Sequence, residues 1–106
     1  MSWEDHHLRS DIVRTVLDRA ALDPNDPALF SGIPQLERLF GGPEGLLLTL
    51  RHRWNNHLAA KLDQAFTQGQ SEVEAYLELS AEQPALRALL DRQYRHRDSV
   101  AAAPVR

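Results

Sequence analysis

The 106-residue chain has no cysteine and only one lysine, Lys61. The absence of cysteine excludes disulfides and thiolate chemistry, and it leaves the redox compartment undetermined. No apolar run approaches the roughly 20 residues that a membrane-spanning helix needs, so we expect no membrane span. The alternating apolar and polar pattern of strands is also missing. The sequence therefore predicts an all-α fold.

Two of the first five residues, Glu4 and Asp5, are acidic and none is basic, whereas an export signal is basic and then apolar. We therefore expect a cytoplasmic protein. Arginine supplies almost all of the basic charge and alanine is abundant, which is typical of a GC-rich bacterial genome.

The strongest helical signal is a long segment over about residues 43–68. Pro43 suits a first helical position, because its missing N–H would be unbonded there, and Gly69 suits the left-handed residue after the end. Apolar residues recur at the three-and-four spacing of one buried stripe: Leu47, Leu50, Trp54, Leu58, Leu62 and Ala65. We predict one long central helix with shorter helices packed around it.

The segment before this helix predicts two shorter ones. Ser2 has an acidic residue three positions later, the spacing of a capping pair, and Ser10 is an alternative start. The apolar stripe then extends to about Leu22, and the two prolines within residues 23–27 stop it. Residues 33–40 predict a short second helix.

The segment after the central helix predicts two more helices. Ser71 and Ser80 each precede a Glu or Gln by three positions, which is the capping-box spacing. We expect a small orthogonal or irregular bundle of about five helices. It forms a single domain over residues 1–98, followed by a frayed tail over residues 99–106.

Four residues of the long helix are the candidate ligand or interface residues: Arg51, Trp54, Asn55 and Leu58. A step of about 100° per residue places Arg51 and Asn55 within the apolar stripe. A buried arginine must be paired, because an unpaired one costs several kcal/mol. Two interpretations stay open for Arg51: an internal salt bridge to an acid of the first helix, or a polar anchor in a ligand pocket or a dimer interface.

Catalytic and metal-binding patterns are missing from the sequence. It has no phosphate-binding glycine loop and no nucleophile elbow. His52 and His57 are five residues apart, so on a helix they point about 140° away from each other. We therefore predict no catalytic residue, no metal site, no cofactor and no enzyme activity.

The distribution of charge and apolar surface favours association. Residues 1–26 carry six acids and three arginines, whereas residues 84–106 carry five arginines and two aspartates. The two ends can pair within one chain or across a dimer. The apolar surface from Leu46 to Phe66 is also longer than short helices are expected to cover. We expect a non-catalytic protein–protein interaction or dimerisation module, whose partner is another protein or a second copy in a homodimer.

Two segments resemble a known family. Phe-Gly-Gly-Pro-Glu-Gly-Leu-Leu-Leu at residues 40–48 resembles the Phe-x-Ser-Lys-Glu-x-Leu signature of TetR-type transcriptional regulators, which opens the helix joining their DNA-binding head to their ligand domain. Residues 75–79 and 82–86 are similar to the next helices of many such proteins. The resemblance implies an alternative function, a TetR-like regulator fragment that binds DNA or a small apolar ligand.

The sequence departs from this family at the DNA-binding head. The signature serine and lysine are Gly42 and Pro43 here, and only about seventeen residues separate Leu22 from Phe40, too few for a helix-turn-helix. Residues 23–40 contain one basic residue, and the chain has a net charge of −3. We therefore expect no binding to nucleic acid.

Overall fold

The structure is a computed structural model that describes the backbone of residues 2–101 and the side chains of residues 2–93. In that range the chain forms helices and no strands, which confirms the all-α prediction. The helices are α1 (Trp3–Leu22), α2 (Leu36–Phe40), α3 (Pro43–Gln68), α4 (Glu72–Glu82) and α5 (Pro84–Ala101). The prediction of about five helices around one over 43–68 is confirmed. Residues 99–101 of the predicted tail continue α5, and residues 102–106 lie outside the described part of the chain.

Local signals in the sequence set most of the helix ends. The side-chain oxygens of Ser2 and Ser71 accept hydrogen bonds from the backbone N–H three residues later, at 3.0 and 3.1 Å. The first helix therefore begins after Ser2 and not near Ser10. Pro43 is the first residue of α3, and Gly69 ends it in the left-handed region with a φ of 73°.

The boundary between α4 and α5 differs from the prediction. Ser80 lies in the last turn of α4 and does not begin a helix. The break comes instead at Gln83, with φ −130° and ψ 62°, directly before Pro84. A proline disfavours helical backbone in the residue before it, and this effect is stronger here than the capping pattern at Ser80.

Helix α3 is the central element of the core. It packs along α4 and also contacts α2 and α5, while α1 packs mainly on α5. The main core cluster contains residues from all five helices and Leu29 of the α1–α2 connection: Ile12, Val16, Ala20, Leu29, Leu36, Leu46, Leu50, Trp54, Leu79, Leu86, Leu89 and Leu90. The molecule measures 49 × 45 × 25 Å, so its short dimension is about two helix diameters. A bundle this thin leaves part of α3 uncovered.

Helices α3 and α4 form an antiparallel hairpin. Polar contacts connect the two helices along one edge. Lys61 Nζ lies 2.7 Å from a Glu82 carboxylate oxygen and 3.4 Å from one of Glu78. The hydrogen bond to Glu82 is the main reason why the pKa of Lys61 is raised. The side chains of Gln83 and His57 are also hydrogen-bonded, with 2.6 Å between Nε2 and Nδ1. These contacts define one polar edge of the hairpin, at which Glu78 and Glu82 remain exposed.

Arginine side chains hold the irregular connection between α1 and α2. Arg19 of α1 donates hydrogen bonds to three carbonyls of the connection, those of Ala28, Leu29 and Ser31, at 2.8–3.1 Å. At the other end Arg38 pairs with Asp5 at 2.9 Å, and this hydrogen bond lowers the pKa of the Asp5 carboxyl. The connection is therefore ordered by α1, although it contains no helix of its own before α2.

Candidate functional site

Trp54, the aromatic candidate of the sequence analysis, lies where three helices meet. Its side chain is buried, and its ring meets that of Tyr76 on α4 edge-on, with centroids 5.9 Å apart. The guanidinium carbon of Arg87 on α5 lies 4.6 Å from the Trp54 ring centroid and 5.8 Å from that of Tyr76. Asp91 forms a salt bridge with Arg87, with 2.7 Å between Asp91 Oδ1 and Arg87 Nη2. This cation–π contact joins α3, α4 and α5, so Trp54 serves as a packing junction.

The other three candidates lie in different surroundings. Arg51 is half-buried, and Leu58 is half-buried against the core. Asn55 is exposed, so the prediction that it lies within the buried stripe is wrong. The buried residues of α3 are Leu46, Leu50, Trp54 and Ala65. Asn55 is about 100° around the helix from Trp54, on the side that no other helix covers.

That uncovered side of α3 carries a regular row of side chains, which we call the outer stripe. Its members follow an alternating spacing of four and three residues: Leu48, His52, Asn55, Ala59, Leu62 and Phe66. Leu62 is half-buried and the other five are exposed. The two ends are large and apolar, with Leu48 65% exposed and Phe66 90% exposed. This spacing is that of a helix seam that packs against another helix.

The exposed apolar surface continues from α3 onto α4. Phe66 is five residues from Lys61, and Val73 is five residues from Glu78, so each points about 140° away from the ion pair between the helices. In an antiparallel hairpin both directions lead to the same side. Val73 and Leu77, one turn apart on α4, are 66% and 58% exposed. The face therefore spans two helices, with Phe66 at its turn end.

The chemistry of this face is that of an apolar contact surface. In the part of the chain that the structure describes, no three His, Asp or Glu side chains are grouped so that they could hold a metal ion. The described helices also include none that is long and apolar enough to cross a membrane. The sequence had indicated that the apolar surface from Leu46 to Phe66 is longer than short helices cover; Phe66 is exposed, whereas Leu46 is buried. It gave no indication that Asn55 belongs to the same row.

Comparisons with protein-family models, with curated proteins and with solved structures found no match to this chain. The resemblance to TetR-type regulators therefore stays an expectation from short motifs. Between Leu22 and Pro43 the structure has a single helix, the five-residue α2. The surfaces of this chain are therefore the only basis for inferring its function.

Proposed function

We propose that this protein is a non-catalytic association module that pairs with a second copy of itself through the outer stripe of α3. The supporting observation is the uncovered row on the longest helix, with a bulky apolar side chain at each end. Exposed apolar surface on a helix face commonly marks a site of protein–protein contact. The row contains no carboxylate, lysine or arginine, so bringing two copies together desolvates no full charge.

The stripe fits a two-fold symmetric pairing of antiparallel α3 helices. With the helices reversed about a point near residue 57, Leu48 meets Phe66 of the second copy at both ends. His52 then meets Leu62, and Asn55 meets Ala59. In each pair the bulkier side chain faces a smaller or flatter one: Phe66 faces Leu48, Leu62 faces the flat ring of His52, and Asn55 faces Ala59. The contact is about 27 Å long, from 18 residues at 1.5 Å each. A self-complementary patch of this kind is what a two-fold dimer requires.

The adjacent surface of α4 enlarges this contact. A stable interface buries roughly 800 Å² on each partner, more than one row of six side chains supplies. Val73 and Leu77 lie on the same side as Phe66 and extend the apolar area past the turn. By contrast, α1 and α5 already pack on each other within one chain. The proposed contact therefore uses α3 and α4, and not the oppositely charged ends of the chain.

The setting that we propose is the bacterial cytoplasm. The arginine-rich and alanine-rich composition supports the bacterial part of this proposal. The cytoplasmic part rests on the sequence-based expectation alone, and cell fractionation with an antibody against the protein tests it.

Sedimentation equilibrium over a hundredfold range of concentration tests the dimer. We expect a mass of two chains at high concentration and a weaker dimer in Phe66→Glu, with a dissociation constant raised about 30-fold or more, as for an aromatic interface hot spot. Leu22→Glu is the matched control, because Leu22 is also 90% exposed but lies at the end of α1. A mass of one chain throughout, or equal effects of the two substitutions, contradicts the proposal.

The antiparallel orientation has its own test, because the chain contains no cysteine. We expect an equimolar mixture of Leu48→Cys and Phe66→Cys proteins to form mixed disulfide dimers under mild oxidation. Each variant alone should crosslink poorly, because identical positions lie at opposite ends of the stripe. Efficient crosslinking of Leu48→Cys with itself would indicate parallel pairing and contradict this orientation.

A further inference from the structure

A cleft of about 570 Å³ opens between α1 and α3. Both helices pack against α2 and α5 but make little direct contact with each other, so they leave a wedge between them. Phe40, the last residue of α2, lies in the wall of this cleft. On α3 the cleft is lined by Arg53, which is five residues from Leu48 and so points about 140° away from it. The cleft is therefore separate from the outer stripe.

The lining of the cleft is positively charged, although the chain is acidic overall. Four basic side chains line it: His6, Arg9, Arg14 and Arg53. Asp18 is the single carboxylate among the lining residues. With histidine neutral, the three guanidinium groups and one carboxylate of the lining sum to +2. The pairing of Arg14 with Asp11 reduces this to +1, which is still opposite in sign to the chain's −3. Such a concave cationic site attracts anions.

The three arginines differ in how far they are already engaged. Arg9 donates a hydrogen bond to a carbonyl of α2, and its guanidinium carbon lies 4.3 Å from the Phe40 ring centroid. Arg14 is paired with Asp11 on its own helix. Arg53 is exposed and makes no hydrogen bond or ion pair with any residue whose side chain the structure describes. Arg53 is therefore the guanidinium available to a ligand, and Arg9 contributes fixed positive charge.

Apart from the hydroxyl side chains of Ser10 and Thr49, the remaining lining of the cleft is apolar, which narrows the class of ligand that fits it. Val13, Leu17 and Phe40 are all half-buried and form apolar surface next to the arginines. We propose that this cleft binds a small organic monocarboxylate with an apolar body. Arg53 holds the carboxylate, because a guanidinium matches its two oxygens, and the apolar body lies on the three apolar side chains. Asp18 disfavours ligands with several negative charges.

Titration of the protein with naphthoate, followed by calorimetry and by NMR shifts of backbone amides, tests this proposal. We expect saturable binding, with shifts concentrated on α1 and the first half of α3, and binding at least about tenfold weaker for the uncharged naphthamide. Arg53→Gln should weaken naphthoate binding by a similar factor. Arg92→Gln is the matched control, because it removes the same charge from a residue that does not line the cleft.

Asp18→Asn provides a change in the opposite direction, and we expect it to tighten naphthoate binding, since it removes the one carboxylate of the site. Equal affinity for naphthoate and naphthamide, or equal effects of Arg53→Gln and Arg92→Gln, would overturn the proposal. Shifts centred on Phe66 and Val73 would also overturn it, because they would place the ligand on the exposed apolar face. These outcomes do not depend on whether the protein dimerises.

Discussion

Among single residues, Gly45 has a role that its helical position does not reveal. It lies in the first turn of α3, directly below the end of α2, and a Cβ atom built on it would lie 1.5 Å from the Phe40 carbonyl oxygen. In an open helix Gly→Ala stabilises by about 1 kcal/mol. Here we expect Gly45→Ala to destabilise by about 1–3 kcal/mol or more, because backbone must move to admit a methyl group. Urea denaturation measures both the sign and the size.

Gly41→Ala separates this steric effect from backbone strain. Gly41 has a φ of 75°, and a Cβ atom built on it would meet nothing within 4 Å. Gly41→Ala should therefore lower the free energy of unfolding only by the strain of an alanine in the left-handed backbone conformation, about 1–2 kcal/mol. If Gly45→Ala proves neutral or stabilising, the close approach of α2 to α3 is wrong.

Among the helices, those with strong terminal signals could be predicted and those set by tertiary packing could not. Pro43 and Gly69 mark both ends of α3 in the sequence, and the structure has the same ends. The α4–α5 boundary was misplaced because Ser80 has capping spacing but Pro84 decides the break. A proline and a capping pair compete there, and the sequence pattern alone does not rank them.

The candidate site was only partly predictable for a similar reason. The three-and-four spacing placed Trp54 correctly in the core, but its contact with Arg87 joins residues 33 positions apart and has no local signal. The sequence misplaced Asn55 because the spacing of residues on a helix gives their angles relative to one another. It does not give the direction in which the helix packs against the rest of the fold. Which side of α3 is covered depends on where α4 packs, and α4 covers the side that carries Lys61.

The junction of α3, α4 and α5 should depend strongly on Trp54. We expect Trp54→Ala to reduce the free energy of unfolding by about 3–5 kcal/mol, as at other buried aromatic residues. That is a large part of the roughly 5–15 kcal/mol that a domain of this size has. Trp3→Ala is the matched control: Trp3 is 72% exposed, and its loss should cost no more than about 0.5 kcal/mol. An unchanged denaturation midpoint for Trp54→Ala would contradict the role of Trp54 as a junction.

In the whole molecule, the two proposed surfaces lie on different sides of α3. The outer stripe carries Leu48 and Phe66, and the cleft to α1 carries Arg53. A second copy on the stripe therefore leaves the cleft open. One central helix can present two faces in this way because the bundle is about two helices thick and α1 makes little direct contact with α3.

The charge of the whole molecule leads to a last prediction, that duplex DNA does not bind at physiological salt. DNA binding requires several basic residues that neutralise phosphates together, and the chain is acidic, with a net charge of −3. The arginines of the cleft do not form such a row, because Asp11 pairs with Arg14 and Asp18 lines the same cleft. Electrophoretic mobility shift with random and promoter DNA measures binding at low salt and at about 0.15 M. A protein carrying both Asp11→Asn and Asp18→Asn controls for sensitivity, since it should bind DNA more tightly at low salt. Submicromolar binding of the unaltered protein at about 0.15 M salt would contradict the prediction and favour the TetR-like alternative.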